Sequence, residues 1–247
     1  MKRLFDTISS VLGLMVLSPV LLTLIMLIWL QDFHVPLYVA PRVGRGGKVF
    51  QMVKLRTMLI NADRSGINST SADDKRITKV GHFIRRFKLD EFLQLWNVLC
   101  GQMSLVGPRP QVTTEVALYT AEEYRLLDIK PGITDFSSIV FSDEGDILAG
   151  SDNPDLLYTQ IIRPWKSRLG LLYIEKQNFL LDLKIILLTI TNIISRKHAL
   201  KGIYKILKSM GTSELILEVV QRKNPLEPYP PPGVKILSNV GEIEFNN

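Results

Sequence analysis

Two adjacent acids, Asp90 and Glu91, open an apolar-periodic segment near the middle of the chain. The residues just before them supply three cations, Arg85, Arg86 and Lys88. Free N–H groups at a helix N-terminus add positive partial charge, so such a place binds phosphate and keeps carboxylates ionised. Neighbouring helical residues lie about 100° apart, so both carboxylates could approach one cation. Mg²⁺ held by one or two carboxylates and by substrate phosphates is the common arrangement in phosphoryl transfer.

The same segment also fits an ordinary surface helix. Arg86 and Asp90 have i, i+4 spacing, and Lys88 and Glu91 have i, i+3 spacing. Such pairs are frequent, and each stabilises a helix by only ~0.2–0.5 kcal/mol. Taken alone, the local pattern favours surface ion pairs, so a reactive site needs support from the rest of the chain.

Two other basic segments could hold phosphate. In Gly107–Pro110 two prolines flank Arg109 and present its guanidinium from a stiff loop, which suits bidentate phosphate binding. A rigid turn with a solvated arginine fits equally well. Lys54 and Arg56 end a predicted strand, where alternation puts both on one face. There they would meet phosphates, anionic lipid headgroups or water.

The N-terminal segment predicts a membrane element. Thr7–Gln31 carries no charge and exceeds the roughly 20 apolar residues that a spanning helix needs. It is too long for a signal peptide, and no small-x-small cleavage site follows it. Pro19 lies at its middle and predicts a kink. The hydroxyl of Ser18 could bond a carbonyl that the proline frees.

Basic residues flank this segment at both ends. Lys2 and Arg3 precede it, and several cations follow it. Because basic flanks prefer the cytoplasm, both ends can lie there only if the segment enters the membrane and returns. The residues therefore favour a re-entrant helix–break–helix bent at Ser18-Pro19, with a plain spanning helix as the alternative.

The chain after this segment predicts an α+β fold that is mostly helical. Val35–Val39 and Lys48–Val53 are expected to form a small β-hairpin around a glycine-rich turn. Phe83–Cys100 is expected to be one amphipathic helix, with Gly101 as its stop signal. We expect further amphipathic interfacial helices around a compact catalytic core.

The C-terminal part is apolar and then proline-rich. The apolar run 170–195 contains Asp182 and Lys184, so it fits an interfacial helix and a buried core helix equally well. Residues 223–234 predict an extended tail.

The composition narrows the class of partner. The 247 residues carry a net charge of +6, which favours anionic lipid, phosphorylated substrates or nucleic acid. The lack of zinc-type Cys/His spacing and of an RNA-binding aromatic motif counts against nucleic acid. A lone cysteine, Cys100, excludes an intrachain disulfide and is expected to be a small buried hydrophobic residue.

Segments that are weak signals singly occur here in a fixed order. They are the basic start with its Ser18-Pro19 helix, Phe50–Met58, Asp74–Arg85, Leu89–Val98, Gly101–Pro110, Lys130–Thr134 and Phe179–Ile185. Over roughly residues 1–195, the chain resembles the bacterial sugar transferase family, the monotopic phosphoglycosyl transferases. Because it begins directly at the re-entrant helix, it is similar to the small members that consist of the catalytic domain alone.

The resemblance implies an Mg²⁺-dependent enzyme that moves a sugar 1-phosphate from a UDP-sugar to polyprenyl (undecaprenyl) phosphate and releases UMP. It implies that Asp90 attacks the β-phosphorus and forms a covalent intermediate, while Glu91 helps Asp90 to hold Mg²⁺. The residues expected to bind substrate or phosphate are Arg85, Arg109, Pro110, Lys54 and Arg56.

The resemblance also implies a location and an organisation. We expect a monotopic protein of the bacterial inner membrane, with a re-entrant helix over 1–33 and a catalytic domain over 34–200 on the cytoplasmic face. A C-terminal extension over 201–247 has no implied role. Membrane lipid is an expected partner and nucleic acid is not, and the resemblance leaves a homodimer and downstream glycosyltransferases of surface glycan assembly open.

One segment departs from the family. After Gly132-Ile133-Thr134, relatives usually continue with Gly-Trp-Ala-Gln-Val, whereas this chain has Asp135-Phe136-Ser137-Ser138-Ile139. We expect this loop to border the sugar or nucleotide pocket, so no sugar preference carries over.

Two other functions remain as alternatives. One is a non-catalytic monotopic anchor that binds lipid or a partner enzyme. The other is an ordinary glycosyltransferase, which would move the sugar without its phosphate and release UDP instead of UMP.

Overall fold

A computed structural model describes residues 1–234, which form helices and two small sheets. The helices are α1 (Lys2–Asp32), α2 (Lys79–Arg86), α3 (Gln94–Leu99), α4 (Thr113–Val116), α5 (Phe136–Val140), α6 (Glu144–Leu148), α7 (Pro154–Leu157), α8 (Arg163–Lys176), α9 (Phe179–Ile194), α10 (Arg196–Ser209) and α11 (Glu214–Gln221). The strands are β1 (Leu37–Val43), β2 (Val49–Leu55), β3 (Ser104–Val106) and β4 (Gly132–Thr134). The predicted class, mostly helical α+β, is confirmed.

The predicted hairpin is present, but its strands lie further along the chain. β1 and β2 pair antiparallel, with Leu37 opposite Leu55 and Val43 opposite Val49. Pro41 belongs to β1, not to the turn, because each strand of a two-stranded sheet has a free edge that tolerates proline. The turn is made by Gly46 and Gly47, whose φ angles of 65° and 76° are available to glycine at little cost. The parallel pair β3–β4 was not predicted.

The prediction of one helix over Phe83–Cys100 is wrong. α2 ends at Arg86, Lys88 adopts a left-handed conformation with φ 54°, and a 3₁₀ turn over Leu89–Leu93 leads into α3. The apolar periodicity is real, but its residues pack on α1 from the 3₁₀ turn instead of from a continuous helix. Trp96 lies outside this contact and is 55% exposed.

Helix α1 continues through Pro19, so the predicted helix–break–helix does not appear as a gap in the helix. Pro19 has no N–H to offer the carbonyl of Met15, and the hydroxyl of Ser18 donates to that carbonyl at 2.8 Å. The predicted hydrogen bond from Ser18 to a carbonyl that the proline frees is therefore present. By length and composition, α1 is the one described helix that could cross a membrane.

Both ends of α1 are fixed to the same globular body. Near its start, Asp6 accepts hydrogen bonds from the Ser104 hydroxyl at 2.8 Å and from the Leu105 N–H at 3.2 Å. At its end, Asp32 pairs with two nitrogens of Arg56 at 2.5 and 2.7 Å. Leu24 and Ile28 are buried between these ends, against residues of β2, α2 and the 3₁₀ turn. The opposite face of α1 stays exposed and apolar.

The main hydrophobic core lies among α5, α8, α9, α10 and α11. The expected domain boundary at residue 200 falls inside α10, and Ile203, Leu207 and Leu217 beyond it belong to this core. In α9, Ile185 is buried whereas Ile194 is 85% exposed, so one face of that helix belongs to the core and the other is exposed and apolar.

The expectation of a buried Cys100 is wrong. Cys100 is exposed because it caps the C-terminus of α3, where the chain turns into the positive-φ Gly101.

A polar cluster joins the start of α1 to α9. Asp182, 4% exposed, accepts hydrogen bonds from the Lys2 ammonium and from the Tyr173 hydroxyl, each at 2.6 Å. Burial and the hydrogen bond to Asp182 raise the pKa of Tyr173, so its hydroxyl stays protonated and keeps donating.

We expect Lys2→Met to lower the unfolding free energy by about 1–2 kcal/mol, because it removes the cation that pairs with the buried Asp182. The effect is smaller than for a fully buried pair, since the Lys2 side chain is 36% exposed. Adding Asp182→Asn should recover part of the loss, as measured by denaturant unfolding in detergent. Lys176→Met, which breaks an exposed pair with Glu175, is the control. Strictly additive losses in the Lys2/Asp182 double variant would contradict this coupling.

Candidate active site

A solvent-connected cavity of about 980 Å³ lies between β2, the 3₁₀ turn, the loop after β3 and α6. Its wall contains all of the residues that the sequence predicted to act on phosphate. These are Lys54, Arg56, Arg85, Asp90, Glu91, Arg109 and Pro110.

Asp90 and Glu91 lie on the 3₁₀ turn and not, as predicted, at the start of an α-helix. Leu89 and Phe92, on either side of them, pack into the cluster around α1. The turn therefore anchors its apolar residues on α1 and presents its two carboxylates to the cavity. Side-chain cations, more than a helix dipole, supply the positive charge around them.

One oxygen of Glu91 is paired with two cations. Its Oε1 accepts a hydrogen bond from Arg109 Nη2 and lies 3.5 Å from Lys54 Nζ. Burial alone would raise the pKa of Glu91, but the charges of Arg109 and Lys54 hold that pKa well below its ordinary value. Glu91 is therefore ionised and already paired.

Asp90 has a different environment from its neighbour. Its Oδ2 lies 3.9 Å from Lys54 Nζ, and among residues 1–234 no group donates a hydrogen bond to its carboxylate. Burial raises the pKa of Asp90, although Lys54 partly offsets this effect. Its oxygens are thus open to an incoming ligand.

A divalent cation fits beside these carboxylates. A bound cation would offset the desolvation of Asp90, which nearby side chains offset only in part. Within the described chain, no third acid, histidine or cysteine joins them to form a metal-ligating group. Mg²⁺ is usually bound by one or two carboxylates, with water and substrate phosphate as its remaining ligands.

Arg85 reaches the cavity from α2, where its Nη1 lies 3.4 Å from the Thr57 hydroxyl. The position of α2 depends on Gly81, because a Cβ there would lie 1.9 Å from the carbonyl oxygen of Thr57. Thr78 caps the helix by accepting the N–H of Gly81 at 2.9 Å. This close approach brings Arg85 to the dyad.

Arg109 is positioned by the β3–β4 pair. Gly107 donates its N–H to Thr134 at 3.0 Å, and Gly132 donates to Pro108 at 2.9 Å. A Cβ on Gly132 would lie 2.1 Å from the backbone nitrogen of Gly107, so the two segments can approach this closely only as glycines. Two distant motifs of the sequence thus form one support for Arg109.

Arg56 was expected to bind phosphate beside Lys54, but the structure gives it another partner. β2 ends at Leu55, so the alternation that would put both cations on one face does not reach Arg56. Its guanidinium binds Asp32 and the carbonyl of Val35. Arg56 therefore fixes the end of α1, while Lys54 faces the dyad.

Sequence reasoning missed a second ion pair in the cavity. Lys166 of α8 binds Glu144 of α6 through a short contact, and its Nζ lies 5.2 Å from the ring centroid of Tyr158. Neither residue belongs to a recognisable motif, so no sequence signal identified them. Arg42 of β1 also lines the cavity, and around the dyad cations outnumber acids.

Lys88 is a further cation of the site, which the sequence suggested only as a surface partner of Glu91. The structure gives its ammonium no hydrogen bond or ion pair within residues 1–234, although burial lowers the pKa of Lys88. It lines the cavity near the Glu91–Arg109 and Glu144–Lys166 pairs, and the charges of both pairs influence its pKa. Its left-handed backbone is uncommon for a residue other than glycine, asparagine or aspartate.

The segment that departs from the family pattern forms a helix cap at the cavity edge. Asp135, 1% exposed, accepts hydrogen bonds from the Ser138 N–H at 2.7 Å and from the Ser137 hydroxyl at 2.8 Å. Phe136 is buried in the core, whereas Ser138 and Phe141 line the cavity. The carboxylate of Asp135 is therefore already satisfied within the protein.

Comparison with known proteins gives a consistent family. The model of the family described as bacterial sugar transferase matches residues 1–196. The undecaprenyl-phosphate glucose phosphotransferase of Komagataeibacter xylinus is 39% identical over 206 residues, covering 80% of this chain and 36% of that protein. The UDP-glucose:undecaprenyl-phosphate glucose-1-phosphate transferase of Caulobacter vibrioides is 32% identical over 201 residues, covering 80% and 71%.

A relative with a different sugar in its name is also similar. The UDP-N-acetylgalactosamine-undecaprenyl-phosphate N-acetylgalactosaminephosphotransferase of Aeromonas hydrophila is 34% identical over 149 residues, covering 59% of this chain and 35% of that protein. For two other relatives the matched part spans 62% and 31% of the relative's length, and for the Komagataeibacter xylinus protein it spans 36%. The chain thus corresponds to less than two thirds of several curated relatives.

We expect Lys88→Asn to weaken the binding of inorganic pyrophosphate by about 10- to 100-fold, because it removes a charged hydrogen-bond donor. Asparagine tolerates the left-handed backbone, so the unfolding free energy should not fall. Calorimetric titration and denaturant unfolding measure the two effects separately. Lys75→Asn, at an exposed position outside the cavity wall, is the control. If Lys88→Asn bound pyrophosphate as tightly as the wild type, Lys88 would serve the backbone turn alone.

Proposed function

The chain belongs to the bacterial sugar transferase family, and we therefore propose that it is a phosphoglycosyl transferase. In this proposal it moves a sugar 1-phosphate from a UDP-sugar to undecaprenyl phosphate, or a similar polyprenyl phosphate, and releases UMP. The observation that carries the proposal is the partly buried Asp90, whose carboxylate has no hydrogen-bond donor among the described residues and lies among cations suited to a diphosphate.

We propose that Asp90 is the nucleophile. One of its carboxylate oxygens forms a bond to the β-phosphorus of the donor, and the bond from that phosphorus to the bridging oxygen breaks. UMP leaves with the electron pair, and the sugar phosphate remains on Asp90. An oxygen of the polyprenyl phosphate then attacks the same phosphorus, and the Asp90 carboxylate leaves. Dividing one phosphoryl transfer into two steps is what a carboxylate nucleophile allows.

The other charges of the cavity have roles that follow from their geometry. Glu91 holds Arg109 in place, and Arg109, Lys54 and Arg85 oppose the negative charge on the phosphates. Carboxylates of Asp90 and Glu91 would hold Mg²⁺, which when bound supplies additional positive charge at the transferred phosphoryl group. Lys54 has a second role, because its ammonium favours the ionised form of Asp90, which is the form that can attack.

We also propose that α1 enters one leaflet from the cytoplasmic face of the bacterial inner membrane and returns. The attachment of both ends of α1 to one globular body supports this arrangement, because a plain span would place the parts of the body that hold its two ends on opposite sides of the bilayer. The exposed apolar face of α1 would then contact lipid. The dyad would lie at the boundary, where a lipid phosphate and a soluble donor can both reach it.

No particular sugar follows from the comparisons. The names of the matching relatives include glucose, galactose and N-acetylgalactosamine. The donor is therefore best identified by a panel of UDP-sugars, with the assembly of surface polysaccharide as the proposed context.

We expect Asp90→Asn to reduce UMP release from UDP-sugars by at least about 10³-fold, because an amide cannot form the covalent intermediate. Purified membranes with polyprenyl phosphate and Mg²⁺ provide the assay, and the radiolabelled sugar phosphate should become bound to the wild-type chain only. Asp146→Asn, another acid of the cavity wall, is the matched control. Full turnover by Asp90→Asn would exclude Asp90 as the nucleophile, and release of UDP instead of UMP would indicate an ordinary glycosyltransferase.

Labelling with a membrane-impermeant maleimide tests the proposed placement of α1. The exposed Cys100 should react in inverted vesicles and not in intact spheroplasts. A cysteine added before Met1 in a Cys100→Ser background should show the same pattern. Reaction of the added cysteine from outside spheroplasts would show that α1 spans the membrane.

A further inference from the structure

Helix α10 presents a row of lysines on its outer face. Lys197, Lys201, Lys205 and Lys208 are all exposed. At about 100° per residue, these four positions fall within an arc of roughly 80° around the helix axis. We refer to these four residues as the lysine stripe.

The core fixes the direction of the lysine stripe. Ala199, Ile203 and Leu207 of α10 are each 0% exposed and belong to the main hydrophobic core. They occupy the opposite side of the helix, so α10 cannot rotate without exposing them. The lysine stripe therefore points away from the protein body.

The charge of the lysine stripe is not balanced by neighbouring acids. Helix α10 contains no aspartate or glutamate, and within residues 1–234 none of the four lysines forms an ion pair. The ammonium of Lys208 lies 5.8 Å from the ring centroid of Tyr204. Like charges four positions apart destabilise a helix, so the arrangement favours an external anion.

The neighbouring helix identifies the class of partner. α9 packs beside α10, with Leu188 against Gly202, and both helices cover α5. Their outer faces therefore lie on the same side of the protein. The outer face of α9 is apolar, with Leu187 64%, Ile190 54% and Ile194 85% exposed.

We propose that the outer faces of α9 and α10 bind a bilayer surface that is rich in anionic lipid. The apolar face of α9 enters the interface, and the lysine stripe contacts the headgroup anions. An exposed apolar face beside a basic face is typical of helices that lie on membranes. A nucleic acid would match the lysines but leave the apolar face of α9 without a partner. The lysine stripe lies beyond residue 196, where the family match ends, and the proposal does not depend on the transfer reaction.

The test is a competition between two vesicle populations. The full-length protein is diluted from detergent into a mixture of phosphatidylcholine vesicles and vesicles with about one third phosphatidylglycerol. Each lysine close to an anionic surface contributes about a five-fold factor. We expect the wild type to prefer the anionic vesicles, and the preference to fall at least about ten-fold when all four lysines are changed to glutamine.

Matched controls separate the lysine stripe from general basicity. A second quadruple variant changes Lys48, Lys75, Lys79 and Lys223, which are exposed elsewhere, and should lose much less of the preference. Equal losses in the two variants, or no loss in the stripe variant, would overturn the proposal. Circular dichroism verifies that both variants remain folded.

A second measurement needs no variant. In the wild-type chain, amine-reactive labelling of the lysine stripe should be several-fold slower on anionic vesicles than on phosphatidylcholine vesicles. Adding about 0.5 M salt should reverse this effect, because that concentration screens exposed charges. Unchanged labelling on both vesicle types would overturn the proposal and leave an acidic protein as the remaining class of partner.

Discussion

The site depends on the ion pair between Glu91 and Arg109. It joins the 3₁₀ turn beside α1 to the loop after β3, and each partner balances a charge that would otherwise be costly to bury. Glu91 forms ion pairs with Arg109 and Lys54, whereas the adjacent Asp90 has no hydrogen-bond donor in the described chain. Two acids that are neighbours in sequence therefore have pKa values shifted in opposite directions, and one is paired while the other is open.

The supports of this pair are made by close backbone approaches more than by side-chain packing. Gly81 permits α2 to touch Thr57, and Gly132 permits the segment before α5 to touch Gly107. Each contact leaves no room for a Cβ, so a larger residue at either glycine would push the two segments apart. The cations Arg85 and Arg109 extend from the segments that these contacts hold together.

Much of this arrangement was predictable because it depends on local signals. The apolar length of α1 and the glycine-rich turn of the hairpin follow from residue type and order. The grouping of Arg85, Asp90 and Arg109 was implied by the resemblance to the family. The break at Lys88 was not predictable, because a lysine gives no signal of a left-handed backbone and the apolar periodicity continues across it. The roles of Arg56 and Lys166 depend on partners that are distant in sequence, Asp32 and Glu144, and only the tertiary structure brings them together.

The exposed apolar face of α1 lies directly behind the turn that carries the dyad, since Leu89 and Phe92 pack against that helix. Under the proposed placement, the polyprenyl phosphate would arrive by lateral diffusion in the membrane and the UDP-sugar from solution. The relevant quantity for the lipid is then its mole fraction in the bilayer, and diluting the suspension at constant lipid composition would leave that supply unchanged. The rate would therefore depend on two independent variables, the surface density of the lipid substrate and the bulk concentration of the soluble donor.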